Sequence, residues 1–289
     1  MVLTPDKVFA LEKKANELRQ IVIEALVEAK SGHTAGPLGM ADIFTYLYFH
    51  ALKHNPKHPD WQERDILVLS NGHICPILYA AMCAAGYGSV EEFKKTLRKF
   101  GSRFQGHPHR DYFPQLETSS GPLGSGLSQA TGMALAHRMD KGKAVGRFFF
   151  CLMSDGELDE GYTWEGAMLA GKERLGNLIA IIDRNNIQID GYTEDIMPLE
   201  PLYEKWKAFN WHVREMDGHD FKNIDSAINE AKSIFNQPSM LIAHTIPGKG
   251  VPEFERKYEW HGKPPNKEEG EIALKALRTL GGKIRSEHE

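Results

Sequence analysis

Residues 148–186 read FFFCLMSDGELDEGYTWEGAMLAGKERLGNLIAIIDRNN, and this stretch decides the fold. The apolar run from Phe148 to Met153 is short and aromatic, as expected of a buried strand, and it stops at Ser154-Asp155-Gly156-Glu157. A helical stretch from about Trp164 to Lys172 follows, and a second apolar run, Leu178 to Asp183, stops at Arg184-Asn185-Asn186. Strand, helix and strand in this order predict a βαβ unit in a parallel sheet. Ligands of such sheets sit beyond the carboxyl ends of the strands, where both polar clusters fall.

The same alternation continues on either side. Ile66 to Ser70 reads as a buried strand ending at Asn71-Gly72-His73, and the runs 211–216 and 240–245 flank a helical stretch beginning near Phe221. Thr4 before Pro5 marks a helix start, with Leu11, Leu18, Val22, Ala25, Leu26 and Ala29 at helical spacing until Ser31-Gly32. A second helix is expected from about Met40 to Lys53, and a last one from Glu268 to Leu280 with a frayed tail. The fold class is therefore α/β, an open, mostly parallel sheet with helices on both faces. It forms a single domain over residues 1–289, with a C-terminal helix and tail from about residue 266.

Composition narrows the functions. Hydrophobic residues make up 41% and charged residues 26%, with a formal net charge of −4 and a pI near 6.4. That balance offers no basic footprint for nucleic acid, and no apolar run approaches the roughly 18 residues that suggest a membrane span. Cys75, Cys83 and Cys151 lie in apolar surroundings without CxxC spacing, as buried thiols of a reducing compartment do. The N-terminus lacks a secretory signal, so a cytoplasmic location is expected.

Asn185 follows Asp155 by 30 positions (185 minus 155). A hard cation such as Mg²⁺, with Ca²⁺ or Mn²⁺ as substitutes, takes oxygen ligands and shares its shell with phosphates. One carboxylate, one amide oxygen and a main-chain carbonyl suit it, and Gly156 lets the backbone approach a diphosphate. Taken singly, DG and NN are common turn pairs; at this spacing, each ending a strand, they point to a metal and diphosphate site. The loop Gly121-Pro122-Leu123-Gly124-Ser125-Gly126 leads into an apolar helical run whose N-terminus can meet part of a cofactor. It is neither G-x-G-x-x-G nor followed by GK[ST].

These residues resemble the thiamine diphosphate signature, GDG followed about 30 residues later by NN, with Ser154 in place of the first glycine. The resemblance implies Asp155 and Asn185 as side-chain ligands of the metal and Ile187 as a ligand through its carbonyl oxygen. Within that superfamily the chain resembles transketolase from the first helix to the segment around His261. SGHTAGPLGMADI at 31–43 is similar to the family's SGHPGxxxGMADI, and TSSGPLGSG at 118–126 to TTTGPLGQG. NGH at 71–73, GHP at 106–108, IDG at 189–191, NWHV at 210–213, DGHD at 217–220 and the HG of WHGKPP agree as well. Thr34-Ala35 departs from the usual Pro-Gly.

By that resemblance His33 and His261 would line the sugar channel, His73 would contact the cofactor diphosphate, and His107 would meet the hydroxyls of the donor ketose. Gly121, Pro122, Leu123, Gly156 and Glu157, with His261, would complete the cofactor's surroundings. Histidine fits such roles because its ordinary pKa lies near neutrality. His54, His58, His109, His137 and His219 read as structural or solvated. The activity implied is transfer of a two-carbon ketol unit from a ketose to an aldose, as in pentose phosphate metabolism. Transketolases carry a second domain that faces the aminopyrimidine, and the sequence ends just after the first. The expected assembly is a heterotetramer, two copies of this chain with two of a separate C-terminal transketolase subunit. Other readings are a 2-oxo-acid dehydrogenase or deoxyxylulose-phosphate synthase type of component, a nicotinamide oxidoreductase whose glycine fingerprint is missing, and a non-catalytic cofactor-binding partner.

Overall fold

A computed structural model describes residues 3–141 and 146–279. The strands are β1 (Ile66–Leu69), β2 (Phe149–Ser154), β3 (Leu178–Arg184), β4 (Ile187–Gln188), β5 (Gly191–Tyr192), β6 (His212–Asp217) and β7 (Ser239–His244). Five of them form one sheet in the order β1-β2-β3-β7-β6 with every pair parallel, while β4 and β5 make a small antiparallel hairpin.

Helices cover both faces. They are α1 (Pro5–Ala29), α2 (Ala35–Gly39), α3 (Ala41–Tyr46), α4 (Cys75–Ala84), α5 (Val90–Thr96), α6 (Ser125–Lys141), α7 (Gly161–Glu173), α8 (Thr193–Ile196), α9 (Leu202–Ala208), α10 (Phe221–Ser233) and α11 (Lys267–Thr279). Alternation along the strands decides which face each side chain serves. Phe150, Leu152, Ile179, Ile181 and Leu241 pack toward α1, α3, α4 and α10, whereas Phe149, Cys151, Met153, Ala180, Ile182 and Met240 pack toward α6, α7 and α9. Because both faces are covered, the central strands are apolar without interruption, which is why they stand out as short runs in the sequence.

The helix starts follow local chemistry. Thr4 Oγ1 accepts from Lys7 N at 3.3 Å, Pro5 occupies the first turn, and Lys30 closes α1 in the left-handed region with φ 53°. The helix expected over Met40 to Lys53 differs from the pattern. It begins earlier, as α2, breaks at Met40, and after α3 ends in a π-helical turn over Leu47–Ala51. Tertiary bonds hold that turn: Tyr46 Oη donates to Asp225 Oδ1 at 2.7 Å, and His50 Nε2 lies 3.6 Å from the same carboxylate oxygen. Leu280 and the expected tail lie outside the described residues. The three cysteines are free and buried.

All five parallel strands point their carboxyl ends to one edge. Ser70, Asp155, Arg184, Asp217 and His244 stand at or just past those ends.

Candidate cofactor site

Asp155 follows β2 directly and is fully buried. Its Oδ1 accepts from Gly156 N at 2.8 Å; its Oδ2 accepts from Asn186 N at 2.7 Å and from Arg184 Nη1 at 3.2 Å. Asn185 comes in from the end of β3. Its Nδ2 donates to Asp183 Oδ2 at 2.8 Å, which fixes the amide orientation, and its Oδ1 accepts from Ile187 N at 3.0 Å with one lone pair to spare. Asn186 between them has φ 64°, the tight left-handed turn that folds Ile187 back beside the aspartate loop. The register aligns Ser154 with Asp183, so the two loops that the sequence spacing paired lie side by side.

A second layer ties the glycine loop to the same edge. Glu157 is buried, and its Oε2 accepts from Ser154 N at 2.9 Å while its Oε1 accepts from Gly124 N at 2.5 Å and from the Ser70 hydroxyl. Ser70 Oγ accepts in turn from Gly126 N at 3.0 Å. Glycine is required at 126, since a Cβ there would sit 2.4 Å from the Ser70 Cβ. This contact lets the N-terminus of α6 abut β1.

Above these loops lies an open groove of about 280 Å³. It is walled by His33, His73, His107 and His261, with Gly121, Leu123, Gly156, Glu157 and Ile187 along it. Pro122 is exposed and outside it; Asp155 and Asn185 are buried beneath. Three imidazoles converge, with ring centroids 4.9 Å apart for His33 and His73, 5.2 Å for His73 and His261, and 5.6 Å for His33 and His261. Burial pushes His33 down to about 3, with His261, Arg98 and His107 adding to the effect, and pushes His261 down to about 4. His73 and His107 are lowered as well, by burial first. These lowered values make the rings neutral hydrogen-bonding groups near pH 7; an anion in the groove would draw the values back up.

Orphaned polar atoms mark the same place. His33 Nδ1 and His261 Nδ1, on the groove wall, are buried without a hydrogen-bond partner, as are Ser120 Oγ and both amide atoms of Asn71 in the adjoining loops next to Gly121 and Gly72. Each such atom costs about 1–3 kcal/mol, so several around one groove are the signature of a site completed by a polar ligand. The donor set fits a divalent ion bridged to a diphosphate: one carboxylate, one amide oxygen with a free lone pair, and neutral imidazoles above. No group of three His, Cys, Asp or Glu side chains able to hold a metal occurs among the described residues, so phosphate oxygens would have to share the shell.

Two of the histidines outside the groove, His219 and His54, have structural partners. His219 Nε2 accepts from Ile246 N at 2.8 Å, so its Nδ1 carries the proton donated to Asp42 Oδ2 at 2.7 Å. His54 is tied to Tyr87 Oη and Tyr48 O. Asp183, Arg184, Ser70 and Arg98 also shape the site, and no motif or spacing singles them out. Arg98 bridges the two histidine loops by donating to Ser31 Oγ at 3.0 Å and to Gly106 O at 3.1 Å. Their only signal is a charged or hydroxyl residue at a strand end or before a glycine loop.

Three buried carboxyls at this edge, Asp183, Asp155 and Glu157, are each raised by burial and give the chain a pH dependence. Burial raises Asp183 from 3.8 to about 7, helped by the neighbouring Asp155, and raises Asp155 from 3.8 to about 6. A carboxyl whose folded value exceeds its unfolded one adds stability that is complete below the unfolded value and lost as pH rises through the folded value. Denaturant melts without metal should therefore show stability falling from about pH 4 to about pH 7. Asp183→Asn should flatten that slope; an unchanged slope would remove Asp183 as its source.

Comparison with known proteins agrees with the geometry. Residues 11–282 match the family model described as transketolase, thiamine diphosphate binding domain. The 6-deoxy-6-sulfo-D-fructose transketolase subunit SqwG of Clostridium sp. (strain MSTE9) is 41% identical, with 94% of this chain and 97% of that protein covered. An apulose-4-phosphate transketolase subunit of Phocaeicola vulgatus is 38% identical over 98% of this chain and 99% of that protein. The crystal structure of transketolase from Campylobacter jejuni superimposes with a TM-score of 0.86 at 35% identity, covering 95% of this chain but only 44% of that one. With the Asp155–Asn185 loop pair, the glycine loop and the histidine groove on one sheet edge, the chain belongs to the transketolase family, as its N-terminal, thiamine diphosphate-binding domain.

Proposed function

We propose that this chain is the diphosphate-binding subunit of a two-chain transketolase that moves a two-carbon ketol unit from a ketose to an aldose. The observation that carries the reading is the stacking of a four-histidine groove directly over the Asp155–Asn185 loop pair. Asp155, Asn185 and the Ile187 carbonyl would hold a divalent ion, Mg²⁺ for preference, and that ion the cofactor diphosphate. Bound thiamine diphosphate supplies the carbon nucleophile of the reaction. The rest falls to the chain. His73 and the Gly121–Leu123 loop steady the diphosphate end, His107 and His261 orient sugar hydroxyls, and His33 and His261, whose Nδ1 atoms lack protein partners, exchange hydrogen bonds or protons with substrate.

A second subunit is supported by the relatives that match along nearly their whole length, since both are named as subunits, and by exposed apolar side chains at Ile189, which lines the groove, and at Tyr192, Ile196 and Met197 just after it in the chain. Two copies of each chain would form the assembly. A cytoplasmic location is supported by the three free thiols; among the described residues no helix is long and apolar enough to cross a membrane.

The test is a coupled ketose-to-aldose transfer assay with thiamine diphosphate and Mg²⁺, on the purified chain alone and mixed with the candidate second subunit. Turnover should arise only on mixing and saturate near one-to-one. Robust turnover by the single chain would refute the two-chain reading, and cofactor-loaded complex without turnover would favour a non-catalytic binding role.

A further inference from the structure

Arg184 closes β3, and its side chain is only 4% exposed. Nη1 donates to Thr193 Oγ1 at 2.9 Å and to Asp155 Oδ2 at 3.2 Å; Nη2 donates to Glu194 Oε1 at 2.7 Å and to Glu200 Oε1 at 3.0 Å. One guanidinium therefore faces three carboxylates, and the contact with Asp155 is the longest of the four. Both outer carboxylates are held in place, Glu194 by Leu199 N at 3.1 Å and Glu200 by Leu202 N at 2.7 Å.

A buried carboxylate is costly unless a positive charge or a strong hydrogen-bond set compensates it. In the cation-free chain Arg184 supplies that charge to Asp155. A divalent ion on the same carboxylate would supply it instead, and would then repel the guanidinium. The orientation of Asp155 does not depend on Arg184, because Gly156 N and Asn186 N hold its two oxygens at 2.8 and 2.7 Å. We infer that Arg184 is the resident counter-cation of the metal site, neutralising Asp155 when no metal is bound and setting the affinity for the divalent ion by competing for that carboxylate. Glu194 and Glu200 are its alternative seat, drawing the guanidinium away when the metal arrives. The inference rests on the assignment of Asp155 as a cation ligand.

The test uses the full chain, titrated calorimetrically with MgCl₂ in the presence of thiamine diphosphate and melted thermally in EDTA and in Mg²⁺. Arg184→Met should melt lower than the parent in EDTA, yet bind Mg²⁺ more tightly, by a factor on the order of ten. Its gain in melting temperature on adding Mg²⁺ should exceed the parent's. Glu194→Gln with Glu200→Gln, both on partly exposed side chains and so safe for folding, should act in the opposite sense and weaken Mg²⁺ binding. In the Arg184→Met background that weakening should shrink, because it acts through the guanidinium; an unchanged loss would mean a direct field effect and would overturn the inference. Weaker Mg²⁺ binding by Arg184→Met would make the residue a mere support for Asp155. An equal fall in melting temperature with and without metal, at unchanged affinity, would make it structural only. Absence of any Mg²⁺-dependent binding by the parent chain, both alone and mixed with the candidate second subunit, would instead fault the Asp155 assignment, and the inference with it.

Discussion

Asp155→Ala is expected to abolish the metal-dependent binding of thiamine diphosphate while leaving the chain folded. Replacement of groups that merely support a metal ligand costs about 10- to 100-fold in affinity, so loss of the only carboxylate in this donor set should exceed that range. The amide of Asn185 and a main-chain carbonyl carry no net charge to replace it. The fold should survive because the groups that Asp155 satisfies have other recourse. Arg184 keeps Thr193, Glu194 and Glu200, and removing a fully buried carboxylate also removes its desolvation penalty. Calorimetric titration with thiamine diphosphate and Mg²⁺, beside a circular dichroism melt, checks both halves. Undiminished affinity in the variant would eliminate Asp155 as the ligand.

Why this pair is visible in the sequence, and its neighbours are not, has a physical answer. The strands β2 and β3 are buried on both faces, so each is an unbroken apolar run, and each run ends where its backbone reaches the ligand edge. Asp155 and Asn185 are thus marked by what precedes them. The four histidines are different: His33 and His261 lie 228 positions apart (261 minus 33), yet their rings meet at 5.6 Å. No periodicity connects them, and only resemblance to a family brings them together in the sequence. Arg184 and Asp183 carry no such mark, because a charged residue at a strand end ordinarily faces solvent; what gives these two meaning is burial, a tertiary property. The π-helical turn at Leu47–Ala51 is illegible for a similar reason, its bonds being to Asp225 on α10.

Glu157→Ala should cost far more in stability than Asp155→Ala, and the comparison separates two roles for this carboxylate. A side chain that touches the cofactor directly would be expendable to the fold. Glu157, by contrast, spends both oxygens on the protein, on Ser154 N, Gly124 N and the Ser70 hydroxyl, and so joins the ends of β1 and β2 to the glycine loop. Truncation strands three buried donors at once. At about 1–3 kcal/mol for each unsatisfied group, less the relief of a buried charge, a net loss of about 3–5 kcal/mol is expected. Such a loss is a large part of the stability of an ordinary domain. Glu157→Gln should fall between, since its amide oxygen can still accept from Gly124 N and the Ser70 hydroxyl while its NH₂ is forced against Ser154 N–H, two donors facing each other. Cofactor affinity should drop in both variants in step with stability, because the Gly121–Gly126 loop loses its anchor before any ligand contact is lost. Urea denaturation of the three chains, followed by cofactor titration under conditions where each is folded, distinguishes the cases. If Glu157→Ala unfolds at the parent's midpoint but no longer binds cofactor, the residue is a direct contact and the anchoring role is wrong. A lowered midpoint that rises again when saturating Mg²⁺ and cofactor are added, with affinity reduced in step, is the result that a buried strut beneath the site requires.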